Sequence, residues 1–176
     1  MFRVIKYLFI VISILVGIVM AIAFFSANEW AVEEVVTIKA NSEKVFKYVN
    51  SVKKWSEWVA WFRNKENKVE VIYEGPEQGV GAVQKWKDDR MTSVLKIVES
   101  KPDKFVKYEL VMRNGSVFNG QFRLIPVNTS TQIRWTIWGT SRGFTDRLKM
   151  LIFNSAISND ANLGLENLKN LLEGKD

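Results

Sequence analysis

The sequence predicts an α+β fold, with an apolar N-terminal helix followed by an antiparallel sheet packed on a long C-terminal helix. Three observations predict it. An uncharged apolar stretch opens the chain, strand-like segments joined by short turns fill its middle, and the last segment repeats its apolar residues at helical spacing.

The opening stretch has no charged residue from Tyr7 to Asn28, and Tyr7–Phe25 is almost wholly apolar. As a helix, Tyr7–Phe25 covers about 28 Å, close to the hydrocarbon thickness of a bilayer. A buried helix of a soluble domain would carry a polar face, and this one has none. A cleaved signal peptide is the alternative, with Arg3 and Lys6 as its basic region and Ala21-Ile22-Ala23 as its processing site. Cleavage there would leave Phe24-Phe25 at the new N-terminus, which favours an uncleaved anchor. The expectation is therefore an anchor in residues 1–28, contacting the membrane through residues 7–27, and one domain in residues 29–176. Arg3 and Lys6 precede the span, whereas Glu29, Glu33 and Glu34 follow it. That asymmetry predicts a single-pass protein of the cell membrane, its N-terminus cytoplasmic and its domain outside. The absence of cysteine is compatible with an oxidising exterior.

The elements follow in order. Trp30–Ala40 is rich in β-branched residues and reads as a strand. Asn41 then fits an N-cap, with Glu43 in the first turn and Val45, Phe46 and Val49 on one helical face. Trp55, Trp58 and Trp61 come next at a spacing of three. Strands are expected at Val69–Tyr73, Val80–Lys87, Met91–Glu99, Lys104–Met112, Ser116–Ile125 and Gln132–Trp138. Asn114-Gly115 predicts a type I′ hairpin turn, and Pro126–Thr131 separates the last two strands. Turns this short require antiparallel neighbours. From about Gly143 to Leu172 the chain reads as helix, with Ala161, Leu165, Leu168 and Leu172 on one apolar face.

Several function classes are excluded or disfavoured. The net charge of +6 comes from lysines and arginines scattered among carboxylates, without the clustered stripe that a nucleic-acid partner needs. Gly75, Gly79 and Gly81 suggest a phosphate loop only until their context is read. The lysine and hydroxyl of a P-loop are missing, position 84 is Gln84 rather than glycine, and a strand follows instead of a helix. A glycine-kinked turn between strands is the expectation. With neither His nor Cys, the usual triads, thiol nucleophiles and zinc sites are ruled out, and acid–base work would fall to Asp, Glu, Tyr or Lys. Ser51-Val52-Lys53-Lys54 matches S-x-x-K without its companion motifs. No cofactor and no metal site are expected, and no catalytic residue stands out.

The segments "VTIKANSEKVFKYV", "WSEWVAW", "YEGPEQGVGAVQKW", "KIVESKPDKFVKYEL", "FRLIP" and "GLENLKNLL", in this order, carry a resemblance. Over roughly Trp30–Leu172 the sequence resembles the SRPBCC or START-like superfamily, and most nearly its polyketide cyclase/dehydrase-like branch, often seen with an N-terminal membrane segment. It departs from the pattern at Asn41-Ser42 and Ala60, where prolines are common. The resemblance implies a helix-grip (START-like) fold, a curved antiparallel sheet around the C-terminal helix, with a cavity that in the family holds lipids, sterols or polyketides. It brings no fixed catalytic set.

Alternation along the strands groups Ile133, Trp135 and Ile137 on one face, with Trp138 on the other. The same rule groups Phe118, Gly120, Phe122 and Leu124, then Val106, Tyr108 and Leu110, then Ala82, Gln84 and Trp86. Candidate lining residues for an apolar ligand are Trp61, Trp86, Tyr108, Phe118, Phe122 and Trp135. Any single one of these aromatics reads first as core filling, while as a set some of them border a cavity, and Trp55 and Trp58 read as core. Three functions stay open: a membrane-anchored module binding an apolar small molecule or lipid, a non-catalytic scaffold or partner-binding domain, and a polyketide cyclase-like enzyme.

Overall fold

The computed structural model describes residues 2–60, 70–87, 92–112 and 114–174. Helix α1 (Phe2–Phe25) leads into β1 (Glu29–Ile38), α2 (Ser42–Val49), a 3-10 turn (Val52–Lys54) and the single-turn α3 (Trp55–Trp58). Six strands follow: β2 (Glu70–Glu74), β3 (Val83–Lys87), β4 (Thr92–Lys101), β5 (Phe105–Val111), β6 (Val117–Val127) and β7 (Ser130–Thr140). Helix α4 (Phe144–Glu173) ends the described chain.

All seven strands join one antiparallel sheet in the order β1-β7-β6-β5-β4-β3-β2. β2 to β7 form the expected meander, and β1 returns to pair with the last strand. A register shift between Ile97 and Glu99 on β4 marks a bulge, a device that bends and twists a sheet. Helix α4 lies on the concave face, where Ala161, Gly164, Leu165, Leu168 and Leu172 are buried. This is the helix-grip architecture.

Local chemistry explains the boundaries. The Asn41 side chain accepts a hydrogen bond from the Lys44 N–H at 2.9 Å, capping α2 as its sequence predicts. Gly174 ends α4 in the left-handed conformation, the usual stop for a helix. Gly75, Gly79 and Gly81 all take positive φ between β2 and β3. The Gly79 N–H donates to the Asn50 carbonyl and the Gly81 N–H to that of Ile97. Those donors are used within the protein, so the segment is a docked turn.

Two turns differ from expectation. The β5–β6 hairpin closes on Met112 and Ser116, with the Gly115 N–H donating to Met112 at 2.8 Å. A two-residue type I′ turn at Asn114-Gly115 would instead close on Ser116 and the residue after Met112. Gly115, at φ 78, fits the left-handed position of a longer hairpin loop. β6 and β7 run to Val127 and from Ser130, leaving only Asn128-Thr129 between them, with Asn128 at φ 52. Asparagine tolerates that conformation. Pro126 is thereby inside β6, beyond the last residue that β5 pairs, where its missing N–H removes no bond to β5.

Helix α1 is long and apolar enough to cross a membrane by length and composition. Its carbonyl end is held by α4: Arg147 Nη1 donates to the Phe24 carbonyl at 2.9 Å and the Ser26 carbonyl at 3.0 Å. A helix leaves its last carbonyls without internal partners, and a cation there is favoured by both hydrogen bonding and the helix dipole. Ala23 is buried beside this joint. Met20, Ala21, Phe24, Phe25 and Phe144 line an open apolar groove of about 430 Å³ at the same place.

Candidate functional site

The register arranges the inward side chains in rows across the sheet. One row runs Glu34, Trp135, Phe122 and Val106, and the next runs Val32, Ile137, Gly120, Tyr108 and Ile97. A further row crosses all seven strands: Trp30, Gly139, Phe118, Leu110, Leu95, Gln84 and Tyr73. Trp86 lies one row beyond, opposite Ser93 and Val71. The inward grouping read from alternation therefore matches the register.

The first two rows are filled. Tyr108, Phe122 and Trp135 meet Trp55 and Trp58 from α3, ring against ring, with centroids 4.8 to 6.2 Å apart. All five residues are buried. The sequence prepares this packing with two glycines. A Cβ on Gly120 would lie 2.1 Å from Tyr108 Cζ, so the Tyr108 ring occupies the space that Gly120 leaves. A Cβ on Gly164 would lie 3.2 Å from Trp135 Cζ3, which lets α4 approach the sheet closely. Trp135 Nε1 donates to the Tyr108 hydroxyl at 2.9 Å, and Trp55 Nε1 donates to the Val49 carbonyl at 3.0 Å. Burial pushes the Tyr108 phenol well above its ordinary pKa, and the bond from Trp135 only partly opposes this. Tyr108 is a neutral core residue at physiological pH.

The row spanning all seven strands is less closed at Trp30, Phe118, Leu110 and Tyr73, whereas Gly139, Leu95 and Gln84 within it are buried. Trp30, Leu110 and Phe118 are half-buried, as are Trp86 and Ile157 of α4, and of these Trp30, Leu110, Trp86 and Ile157 pack against the core. Trp30 and Phe118 meet edge to face at 5.3 Å. They do so over Gly139, where a Cβ would lie 2.7 Å from the Trp30 ring. Of the six candidate lining residues, the fold thus brings Tyr108, Phe122 and Trp135 together in the packed cluster. It sets Phe118 and Trp86 in the more open part, and Trp61 lies outside the described residues. Trp30 was missed, although the alternation that groups it with Val32, Val36 and Ile38 was present in the sequence.

Polar groups on this face are few. Glu34 faces inward beside Trp135 in the register, and Ser158 on α4 donates a short hydrogen bond to it. The Gln84 side chain is buried, and its Oε1 has no hydrogen-bond partner among the described residues. Tyr73 has a raised pKa, chiefly from burial. Charged residues populate the opposite face, as in the ion pairs Lys85–Glu74, Lys107–Glu99 and Arg134–Glu33. Among the described residues no group of three or more acidic side chains is placed to hold a metal.

The open part of the concave face is also the end nearest α1. Trp30 is the second residue of β1, which starts four residues after α1 ends, and α4 begins there with its Arg147 on the α1 carbonyls. The opposite end is covered by α2, whose Lys44 Nζ donates to the Leu172 carbonyl at the far end of α4.

Comparison with known proteins gives a consistent result. Residues 29–173 match the family model described as polyketide cyclase/dehydrase and lipid transport. No curated protein matches in sequence. Among solved structures, the Aha1 dimer protein of Colwellia psychrerythraea is 19% identical, with a TM-score of 0.57 over 84% of this chain and 98% of that one. A protein of Mesorhizobium loti is 17% identical, with a TM-score of 0.60 over 84% and 99%. The di-domain ARO/CYC protein StfQ of the steffimycin biosynthetic pathway is 12% identical, with a TM-score of 0.64 over 84% of this chain and 51% of its own. At these identities the likeness is one of fold.

Proposed function

The chain belongs to the polyketide cyclase/dehydrase and lipid transport family, and from that premise we propose that it is a membrane-anchored module that binds an apolar small molecule or lipid. The ligand seats in the open part of the concave face, against Trp30, Leu110, Phe118 and Trp86. The observation that carries this reading is the change along the sheet, from fully packed aromatic rows to a half-buried aromatic row beside the anchor. Apolar walls with few polar groups are how small-molecule sites are commonly built. Helix α1 serves as the anchor, with residues 29–176 as an extracytoplasmic domain. Because the open end is next to α1, a ligand released from the bilayer would reach the site without crossing much water.

The packed cluster of Trp55, Trp58, Tyr108, Phe122 and Trp135 supports a second reading, a scaffold whose interior needs no ligand. Native mass spectrometry of the detergent-extracted full chain separates the two. A co-purifying lipid retained through dilution supports binding, and uniformly ligand-free protein that also takes up no added sterol or fatty alcohol supports the scaffold. For the anchor, alkaline phosphatase fused after Asp176 is expected to be active in a bacterial host. Activity only from a cytoplasmic reporter would reverse the orientation.

A further inference from the structure

We infer that the bound molecule is neutral and carries a hydroxyl group, which Gln84 reads. The inference rests on the binding reading above and specifies the ligand's chemistry. Gln84 belongs to the row that crosses all seven strands, between Leu95 on β4 and Tyr73 on β2. It is 1% exposed, its Oε1 lies away from water, and no described residue bonds that oxygen. Burying an amide oxygen without a partner is unfavourable, and native interiors rarely do it without a use. The open group is an acceptor, and a hydroxyl is a small neutral group that donates to it.

Charge narrows the class further. Among the described residues, no inward position of the seven strands holds a lysine or arginine; the basic strand residues Lys85, Lys87, Lys96, Lys101, Lys107, Arg123 and Arg134 alternate to the outer face. The inward charged group is Glu34, a carboxylate. A carboxylate ligand brought to this face would lose hydration and meet no cation from the described strand residues. The site therefore favours an apolar body with a neutral hydroxyl, such as a sterol or long-chain alcohol, over a fatty acid anion.

The test uses the full chain in detergent and three pyrene probes of equal chain length: a pyrenyl alkanol, a pyrenyl alkanoic acid and an alkylpyrene. The wild type is expected to bind the alkanol more tightly than the alkylpyrene by roughly two- to tenfold, the range of one net hydrogen bond, with the acid weakest at neutral pH. Gln84→Leu is expected to remove the alkanol's advantage while the alkylpyrene binds as well or better. The same substitution should raise the unfolding midpoint of the ligand-free chain, because a buried amide with an unpaired oxygen is replaced by an apolar group of similar size. Equal binding of alkanol and alkylpyrene by the wild type overturns the inference and leaves the binding reading standing. So does tightest binding of the acid, or a lowered midpoint for Gln84→Leu, which would mean that the amide is already paired in the free protein. Saturable binding of none of the three probes removes the binding reading itself.

Discussion

Replacing Trp135 with alanine separates the packed rows from the open one. Trp135 is fully buried, touches Trp58 and Phe122 ring to ring, and gives its indole N–H to Tyr108. Loss of such a side chain costs about 3–5 kcal/mol through lost burial and the cavity left behind. The Tyr108 hydroxyl also loses its donor in a dry site, worth about 1 kcal/mol more. A total near 4–6 kcal/mol is comparable to the whole stability of many domains, about 5–15 kcal/mol. Phe118→Ala is the matched control. Its ring is half-buried and meets Trp30 across Gly139, so its removal should cost only about 1–2 kcal/mol of stability. It should, however, weaken an apolar probe about tenfold, the equivalent of about 1.4 kcal/mol. The assay is urea unfolding of the full chain in detergent followed by tryptophan fluorescence, with a pyrenyl alkanol titrated into each folded variant. An unchanged midpoint for Trp135→Ala would refute the packed-cluster argument. Intact probe binding in Phe118→Ala, with binding lost in a still-folded Trp135→Ala, would move the site into the cluster.

Other expectations follow from the same geometry. Gly120→Ala should destabilise the chain by about 1–3 kcal/mol by overpacking, because its Cβ would overlap the Tyr108 ring. Most of that cost should vanish in a Tyr108→Val background, and an equal cost in both would exclude the contact as its cause. Asn41→Ala should lower stability by about 1 kcal/mol through loss of the α2 cap, measured by the same unfolding curves. The folded-state pKa of Tyr108 is raised, so its contribution is fully present below the unfolded tyrosine pKa, near 10, and is lost as pH climbs above that value. Tyrosinate absorbance should accordingly show Tyr108 ionising only with alkaline unfolding, and Tyr108→Phe should remove that step. Smooth ionisation of Tyr108 in the folded chain would contradict its burial.

The sequence by itself determined the elements and their order, since those depend on neighbours a few residues apart. The Asn41 cap, the apolar face of Ala161, Leu165, Leu168 and Leu172, and the alternation that turns Trp135 and Phe122 inward are all local patterns. Alternation fixes which face a side chain joins, but it leaves open what that side chain meets. Strand register and the docking of α4 supply that answer through contacts between residues far apart in the chain. They set the Tyr108 ring over Gly120, bring Trp30 to Phe118 across Gly139, and lay Trp135 against Gly164. They also place Arg147 on the carbonyls of Phe24 and Ser26, more than a hundred residues earlier. The five candidate lining residues among the described ones look equivalent in the sequence but consequently have different surroundings. Tyr108, Phe122 and Trp135 are packed beneath the tryptophans of α3, whereas Phe118 and Trp86 remain half-buried on the more open part of the face. The period of a strand carries no information about the helix that packs above it, so only the tertiary structure could draw that line.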